Sequence, residues 1–252
     1  MEYISTRGNY ESVSSAEAIQ LGMVPTGGLF VPQDIPKLDT DEIYQFESDS
    51  YQTIAKKILT QFFFFFFEEE LENLVNQAYN EGNFAKSEIA PLVNLEEEQY
   101  ILELWHGPTA AFKDMALQLM PYLLQAAIDK VELEEDVVIL VATSGDTGKA
   151  ALEGFKDLEG IDIIVFYPQD GVSKIQEYHM ITTEGDNTAV VAVEGNFDDC
   201  QSTVKEVFGD QDFKELLSES GYRFSSANSI NWGRLVPQII YYFAAYAYLL
   251  KD

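Results

Sequence analysis

Short apolar segments alternate with helical patterns in the second half of the sequence, and this alternation restricts the fold more than any other feature. The apolar segments are uninterrupted or nearly so, at residues 137–142, 161–167, 188–193 and 222–226. Helical spacing of apolar residues lies between and after them, near residues 174–182, 200–208 and 231–250. Strands that alternate with helices favour βαβ units, so the sequence predicts an α/β fold with mainly parallel sheets flanked by helices.

The first 95 residues predict a smaller domain that is helical and rich in loops. Ser14 and Glu17 have the spacing of a capping box, in which each side chain accepts a hydrogen bond from a backbone amide at a helix start. Further helical spacing occurs at residues 41–46, 51–59 and 68–79. We therefore predict an amino-terminal domain at 1–95 and an α/β region at 96–252.

Six consecutive phenylalanines, Phe62 to Phe67, fit no amphipathic period. The ordinary explanations are a buried segment between domains, a sequence artefact or an engineered insertion. Together they outweigh the alternative of a functional aromatic surface.

The charge and the cysteine content exclude several functional classes. Acidic residues outnumber basic ones by 43 to 15, and a net charge of −28 repels nucleic acids and anionic membranes. One cysteine, Cys200, forms no internal disulfide, and with two histidines it makes a zinc site unexpected, whereas carboxylate sites for Mg²⁺ or Ca²⁺ stay open. The first residues lack the apolar core of a signal peptide, and residues 235–250 are too short and interrupted for a membrane span. We therefore expect a cytoplasmic protein.

A glycine-containing loop, residues 143–148, follows the first apolar segment and opens a helix. Unpaired amides and the helix dipole favour an anion there, so a carboxylate or phosphate cradle and an ordinary capped turn are equally weighted interpretations. The spacing is neither that of a Walker loop nor that of a dinucleotide-binding loop, which argues against an ATPase or a Rossmann dehydrogenase.

Lys113 stands near the start of a helical pattern at about residues 112–127, after a short apolar strand at 100–104. The helix dipole and the neighbouring Phe112 and Trp105 favour a neutral amine, which is the form that attacks a carbonyl group. A surface lysine at a helix end is the alternative, and for an arbitrary lysine it is the commoner situation.

Several separated segments resemble the threonine synthase family, whose members are pyridoxal-phosphate enzymes of fold type II with a tryptophan-synthase β-like fold. They occur in the family's order, and the phenylalanine run is the stretch that does not fit. The segments are residues 26–32, 105–114, 143–148, 195–201, 226–232 and 242–243.

The resemblance implies conversion of O-phospho-L-homoserine and water to L-threonine and phosphate, with pyridoxal 5'-phosphate as cofactor. Lys113 would bind the cofactor covalently and then transfer protons, and Asp146 and Asn228 would also contact it. Related enzymes of this fold have Asn where Asp146 stands. The remaining implied contacts are to the substrate, from Ser144, Gly145, Thr147, Lys149, Ser229, Asn231 and Arg234. For residues 228–231 a cluster that caps a helix is an equally weighted alternative.

Members of the family continue well past the position that matches residue 250, so the resemblance implies that about half of a family member is present. We therefore expect weak or absent retention of the cofactor by this chain alone. Two alternatives remain open at this point. One is a phospho-lyase that acts on another phosphorylated amino compound, and the other is a non-catalytic chain that associates with itself or a partner through uncovered apolar surface.

Overall fold

The amino-terminal part of the chain contains a small antiparallel sheet and short helices. The computed structural model describes residues 1–64, 66 and 68–250. Among these residues the sheet has the strand order β2-β1-β3. The elements are β1 (Glu2–Ser5), β2 (Val13–Ser14), α1 (Ser15–Leu21), β3 (Phe30–Pro32), α2 (Thr40–Tyr44), a 3₁₀ helix (Gln45–Ser48), α3 (Tyr51–Thr60) and α4 (Glu68–Ala78).

Helix α1 begins where the sequence predicts. Ser14 is the N-cap, and its side chain and that of Glu17 form the expected capping box. Gly22 ends the helix with a φ of +70°, a backbone conformation that favours glycine. A Cβ atom on Gly22 would lie 2.8 Å from the hydroxyl of Ser225 and 3.1 Å from Nδ2 of the Asn231 side chain. The end of α1 therefore packs closely against a segment near the carboxyl end of the chain.

A hairpin and then alternating strands and helices make up the rest of the chain. The hairpin strands are β4 (Leu92–Glu96) and β5 (Gln99–Leu102). The helices that follow before the main sheet are α5 (Asp114–Leu117) and α6 (Met120–Lys130). The remaining elements are β6 (Asp136–Ala142), α7 (Asp146–Phe155), β7 (Ile161–Pro168), α8 (Lys174–Ile181), β8 (Thr188–Val193), α9 (Phe197–Gly209), α10 (Gln211–Glu219), β9 (Tyr222–Ser225), α11 (Trp232–Leu235) and α12 (Pro237–Leu249).

The main sheet is parallel and has the strand order β8-β7-β6-β9 among the described residues. In β6, Val137 is opposite Ile161 on one side and Arg223 on the other. Residues 137–142 of β6 are all buried, which agrees with an apolar strand covered on both faces. The fold class predicted from the alternating pattern is therefore confirmed. Because parallel strands end at the same edge, the loop after β6 and the segment after β9 are neighbours.

The main hydrophobic core draws residues from both sides of the predicted domain boundary. Its members include Ile54 and Leu71 from the amino-terminal part and Leu123 and Ile163 from the α/β part. Helix α12 packs on α3, and α1 packs on α6. The hairpin of β4 and β5 spans the predicted boundary, and the division at residue 95 stays a prediction.

Three of the four described phenylalanines in the run lie in this core. Phe62, Phe63 and Phe66 are buried, whereas Phe64 is 64% exposed. Residues 65 and 67 lie outside the described residues. The ring of Phe62 lies 5.7 Å from that of Trp232. The burial of Phe62, Phe63 and Phe66 agrees with the interpretation of the run as a buried segment.

Two helices that the sequence predicts as continuous are interrupted. The pattern at 112–127 divides into α5 and α6, with Pro121 in the first turn of α6. The pattern at 231–250 divides into α11 and α12, and Pro237 is the first residue of α12. Proline lacks the amide hydrogen that a helix interior needs, but it fits the first turn of a helix. This explains why Pro121 and Pro237 each lie at the start of a new helix. Among the described residues, no helix has the length and apolar composition to cross a membrane.

Helices α5 and α7 approach each other at Gly154. A Cβ atom at this position would lie 2.0 Å from the backbone oxygen of Leu117. Alanine normally stabilises a helix interior relative to glycine by about 1 kcal/mol, but here the added methyl group has no room. We predict that Gly154→Ala lowers the free energy of unfolding by about 1–3 kcal/mol, as measured by urea denaturation.

Gly209, the last residue of α9, supplies the matched control for this substitution. A Cβ atom on Gly209 would meet nothing within 4 Å. Gly209→Ala should therefore leave the free energy of unfolding within about 0.5 kcal/mol of the original. Equal stabilities for the two alanine variants would contradict close contact between α5 and α7.

Candidate active site

The loop between β6 and α7 is folded around one buried hydroxyl group. Thr143 Oγ1 accepts hydrogen bonds from the backbone amides of Gly145 at 3.0 Å and Gly148 at 2.9 Å. It also donates to the carbonyl oxygen of Gly145 at 3.1 Å. The amides of Asp146 and Thr147 have no partner among the described residues. These first-turn amides are therefore available to an anion, as the cradle interpretation requires.

Gly145 allows the close approach of a side chain from α8 to this loop. Gly145 is the N-cap of α7, and its φ of +144° is rarely adopted by residues with a side chain. A Cβ atom on Gly145 would lie 2.3 Å from Nε2 of Gln176. The backbone conformation therefore favours glycine here, and a Cβ atom would displace the end of the Gln176 side chain.

Lys113 and the loop come together, although they are distant in the sequence. Lys113 is the N-cap of α5, and its side chain is 20% exposed. Its Nζ atom lies 3.7 Å from Oδ2 of Asp146 and 4.4 Å from the ring centroid of Phe112. Asp146 therefore places a carboxylate next to the amine of Lys113.

The turn before Lys113 is held by the neighbouring carboxylate of Asp114. Asp114 is fully buried and accepts hydrogen bonds from the backbone amide of Thr109 at 2.9 Å and from its hydroxyl at 2.7 Å. Ala110, within the turn, has a φ of +55°, which is uncommon for alanine. Burial raises the pKa of Asp114, and the hydrogen bonds from Thr109 act in the opposite direction. The hydrogen bonds between Thr109 and Asp114 therefore fix the position of the turn that precedes Lys113.

A small cavity of about 20 Å³ lies beside Asp146. Its walls come from the turn before Lys113, from the loop after β6 and from helices α7 and α8. They are formed by Thr109, Gly145, Asp146, Lys149, Gln176 and His179. The contacts of Thr109 and Gln176 were not predicted. Gln176 carries a local signal, because Ser173 and Gln176 have capping-box spacing, but that signal does not reveal a contact with a loop 30 residues earlier.

Lys149 has partners of its own within the protein. Its Nζ atom lies 2.5 Å from Oε1 of Glu153 and 2.9 Å from the hydroxyl of Thr183. Glu153 also pairs with Lys156 at 2.6 Å. Burial acts to raise the pKa of Glu153, but the hydrogen bonds from the two lysines outweigh it and lower the pKa overall. The ammonium group of Lys149 therefore already has a carboxylate partner, which it shares with Lys156.

The segment after β9 supplies both a helix cap and an unsatisfied polar atom. Asn231 is the N-cap of α11, and its side chain donates to the carbonyl oxygens of Ile19 and Ser226, both at 2.9 Å. As the N-cap, Asn231 also accepts a hydrogen bond at Oδ1 from the backbone amide of Gly233 at 2.8 Å, which is the contact that the capping interpretation predicts. Oδ1 of Asn228 is buried and has no hydrogen-bond partner among the described residues, whereas Ser229 is exposed. A buried unpaired oxygen costs free energy and is available to a ligand.

Arg234 is a buried cation without a carboxylate partner among the described residues. It is 4% exposed, and no acidic oxygen lies within the 4.0 Å of an ion pair. It donates to Gln238, but its Nε atom has no partner. Burial lowers the pKa of Arg234 to about 10, and Tyr241 and Tyr79 act in the opposite direction. An anion at this guanidinium would offset the cost of burying it.

Comparison with known proteins finds the same family that the separated sequence segments resemble. The family model described as "Threonine synthase N terminus" matches residues 2–79. A threonine synthase from Pseudomonas aeruginosa is 41% identical over 246 residues, which are 97% of this chain and 50% of that protein. The chain is similar to threonine synthases over nearly its whole length. Human threonine synthase-like 1 is 42% identical over 94% of this chain and 33% of that protein.

A solved structure shows that the likeness to threonine synthases extends to the fold. The crystal structure of PLP-bound threonine synthase from Brucella melitensis aligns with a TM-score of 0.87 and 38% identity, covering 99% of this chain and 52% of that chain. The predicted resemblance is therefore confirmed, and the matched family model includes the phenylalanine run that does not fit the resemblance at the sequence level. The chain spans about half the length of the threonine synthases it matches.

The hydrogen bonds from Thr109 to Asp114 can be tested by removing the hydroxyl group alone. Thr109→Val keeps the shape of the side chain but removes one donor to a buried carboxylate. We predict a loss of about 1–3 kcal/mol in the free energy of unfolding at neutral pH. Thr109→Ser keeps the hydroxyl group, so its loss in the free energy of unfolding should be smaller.

This loss should depend on pH in a defined direction. Because burial already raises the folded-state pKa of Asp114, ionisation of this group lowers stability as the pH rises through that value. Thr109→Val removes an interaction that favours the ionised form, so its effect should be smaller at about pH 4 than at neutral pH. An effect that is equal at both pH values would indicate that the carboxylate is not involved.

Proposed function

We propose that this chain carries the lysine that binds pyridoxal phosphate in a threonine-synthase-type lyase, and that Lys113 is that lysine. The observation that carries the proposal is the contact of 3.7 Å between Lys113 and Asp146. It joins the two segments of the sequence that independently suggested amine chemistry and anion binding. The PLP-bound relative from Brucella melitensis supports the choice of cofactor.

The residues at the site fit this cofactor chemically. Lys113 offers an amine with limited solvent access, the loop after β6 offers unpaired amides, and Asn228 offers a buried oxygen without a partner among the described residues. The loop and the segment containing Asn228 follow adjacent parallel strands, so they reach the same edge of the sheet. Lys113, Asp146 and Asn228 are therefore the residues that would hold the cofactor.

The cofactor, when bound, supplies an electron sink for charge that develops on substrate carbon atoms. Lys113 would hold it covalently, and its amine, once released, would accept and return protons at those carbons. The amides of Asp146 and Thr147, with the side chain of Ser144, would bind the substrate carboxylate at the positive end of α7. Partial burial of Lys113 limits access of water to its amine.

We assign to the whole enzyme the conversion of O-phospho-L-homoserine and water to L-threonine and phosphate. The relatives' name, threonine synthase, supports threonine as the product, and the phosphorylated substrate is what the resemblance in the sequence implies. Among the described cations near the segment after β9, Arg234 suits the substrate phosphate best, because its guanidinium has no carboxylate partner. Lys149 is a weaker choice because it already pairs with Glu153. A net charge of −28 makes such local donors necessary, since the overall field repels both phosphorylated ligands.

Covalent trapping tests the assignment of Lys113 directly. The full chain is incubated with pyridoxal phosphate, reduced with borohydride and mapped by peptide mass spectrometry. We expect the reduced adduct mainly at Lys113 and an absorbance band that Lys113→Ala abolishes. Lys205→Ala, which changes an exposed lysine on α9, should keep both signals. Adducts scattered over surface lysines, or none at Lys113, would overturn the proposal.

Inorganic phosphate tests the role of Arg234. We expect millimolar phosphate to raise the thermal midpoint of the chain by about 2 °C, because a ligand that binds the folded state stabilises it. Arg234→Met should remove this response, and Lys149→Met should keep it. A full response in the Arg234→Met variant would assign the phosphate contact elsewhere.

A further inference from the structure

Gln176 links the start of α8 to the carboxylate that faces Lys113. Its Nε2 atom donates to Oδ1 of Asp146 at 3.0 Å. Its Oε1 atom accepts from the backbone amide of Ser173 at 3.2 Å and from the hydroxyl of Ser173 at 3.0 Å. An amide oxygen is needed to accept from the Ser173 amide, so the nitrogen of Gln176 must face Asp146.

The two oxygen atoms of Asp146 therefore have different partners. Oδ1 accepts from Gln176, and Oδ2 lies 3.7 Å from Nζ of Lys113. The side chain of Asp146 is 52% exposed, so without a fixed donor it would be free to turn toward water. Gln176 also packs against Gly145, where a Cβ atom would collide with it. Both the hydrogen bond and the packing act on the loop that opens α7.

We infer that Gln176 is a positioning residue, which acts through Asp146 to fix the loop after β6 in the geometry that faces Lys113. The effect on the cofactor rests on the function proposed above, whereas the effect on the loop does not. Gln176 has two separable roles in this arrangement. Its oxygen completes the capping box of α8, and its nitrogen holds Asp146.

Gln176→Glu separates these two roles. Glutamate retains a capping oxygen for Ser173, so α8 keeps its cap. It replaces the donor to Asp146 by a second carboxylate, so the contact becomes repulsive. Adding Asp146→Asn to this variant places an amide donor opposite the introduced carboxylate and restores a hydrogen bond of reversed direction. Asp146→Asn alone is the reference for this double variant, and Gln77→Glu on the exposed face of α4 is the charge control.

Two measurements are made on the full chain. The first is hydrogen–deuterium exchange of peptides that cover residues 143–149, without added cofactor. The second is the concentration of pyridoxal phosphate that gives half-maximal borohydride trapping at Lys113. We expect Gln176→Glu to accelerate exchange and to raise the half-maximal concentration, each by about tenfold. The double variant should return to within about threefold of Asp146→Asn in both measurements, and Gln77→Glu should match the original chain.

The outcomes separate the positioning role from the proposed function. If Gln176→Glu behaves like Gln77→Glu, or if Asp146→Asn gives no rescue, the positioning role of Gln176 is wrong. If the original chain shows no trapping at Lys113, the proposed function is wrong, and the exchange data still decide the role of Gln176. Should Gln176→Glu not fold, Gln176→Met removes the same donor without adding charge, and faster exchange in that variant is then the required result.

Discussion

The parallel pairing of β6 with β7 and β9 is the constraint on which the rest of the site depends. It buries an apolar strand on both faces and fixes the direction in which three strands end. The loop containing Asp146 and the segment containing Asn228 therefore lie at one edge of the sheet, although they are far apart in the sequence. Lys113, the third residue assigned to the cofactor, lies at the start of α5, which packs on α7.

The elements with strong local patterns could be predicted from the sequence. The capping box of Ser14 and Glu17, the buried strand β6 and the glycine-containing loop each carry a signal within a few residues. The resemblance to threonine synthases then selected Lys113 from the other lysines. The break between α5 and α6 was missed, because apolar spacing continues across it and the proline in the new first turn is compatible with a helix.

The contacts that organise the site could not be predicted, because they join distant residues. Nothing in the sequence near Asp146 indicates that Gln176 holds it, and nothing near Lys149 indicates that Glu153 and Thr183 share its amine. The lack of a carboxylate partner for Arg234 among the described residues is a property of its surroundings, since arginine in a helix commonly reaches water. The fold therefore separates two basic residues that the sequence treats alike, because Lys149 pairs with Glu153 whereas Arg234 has no counter-charge among the described residues.

The contact at Gly154 also has a mechanical consequence. Helix α5 begins directly after Lys113, and α7 begins at Asp146, so each end of the 3.7 Å contact is attached to a helix. Gly154 lets α7 pack directly against the backbone of Leu117 at the end of α5. A shift of α5 relative to α7 that widens the space between Lys113 and Asp146 would have to disturb this packing, whereas a change of side-chain rotamer would not.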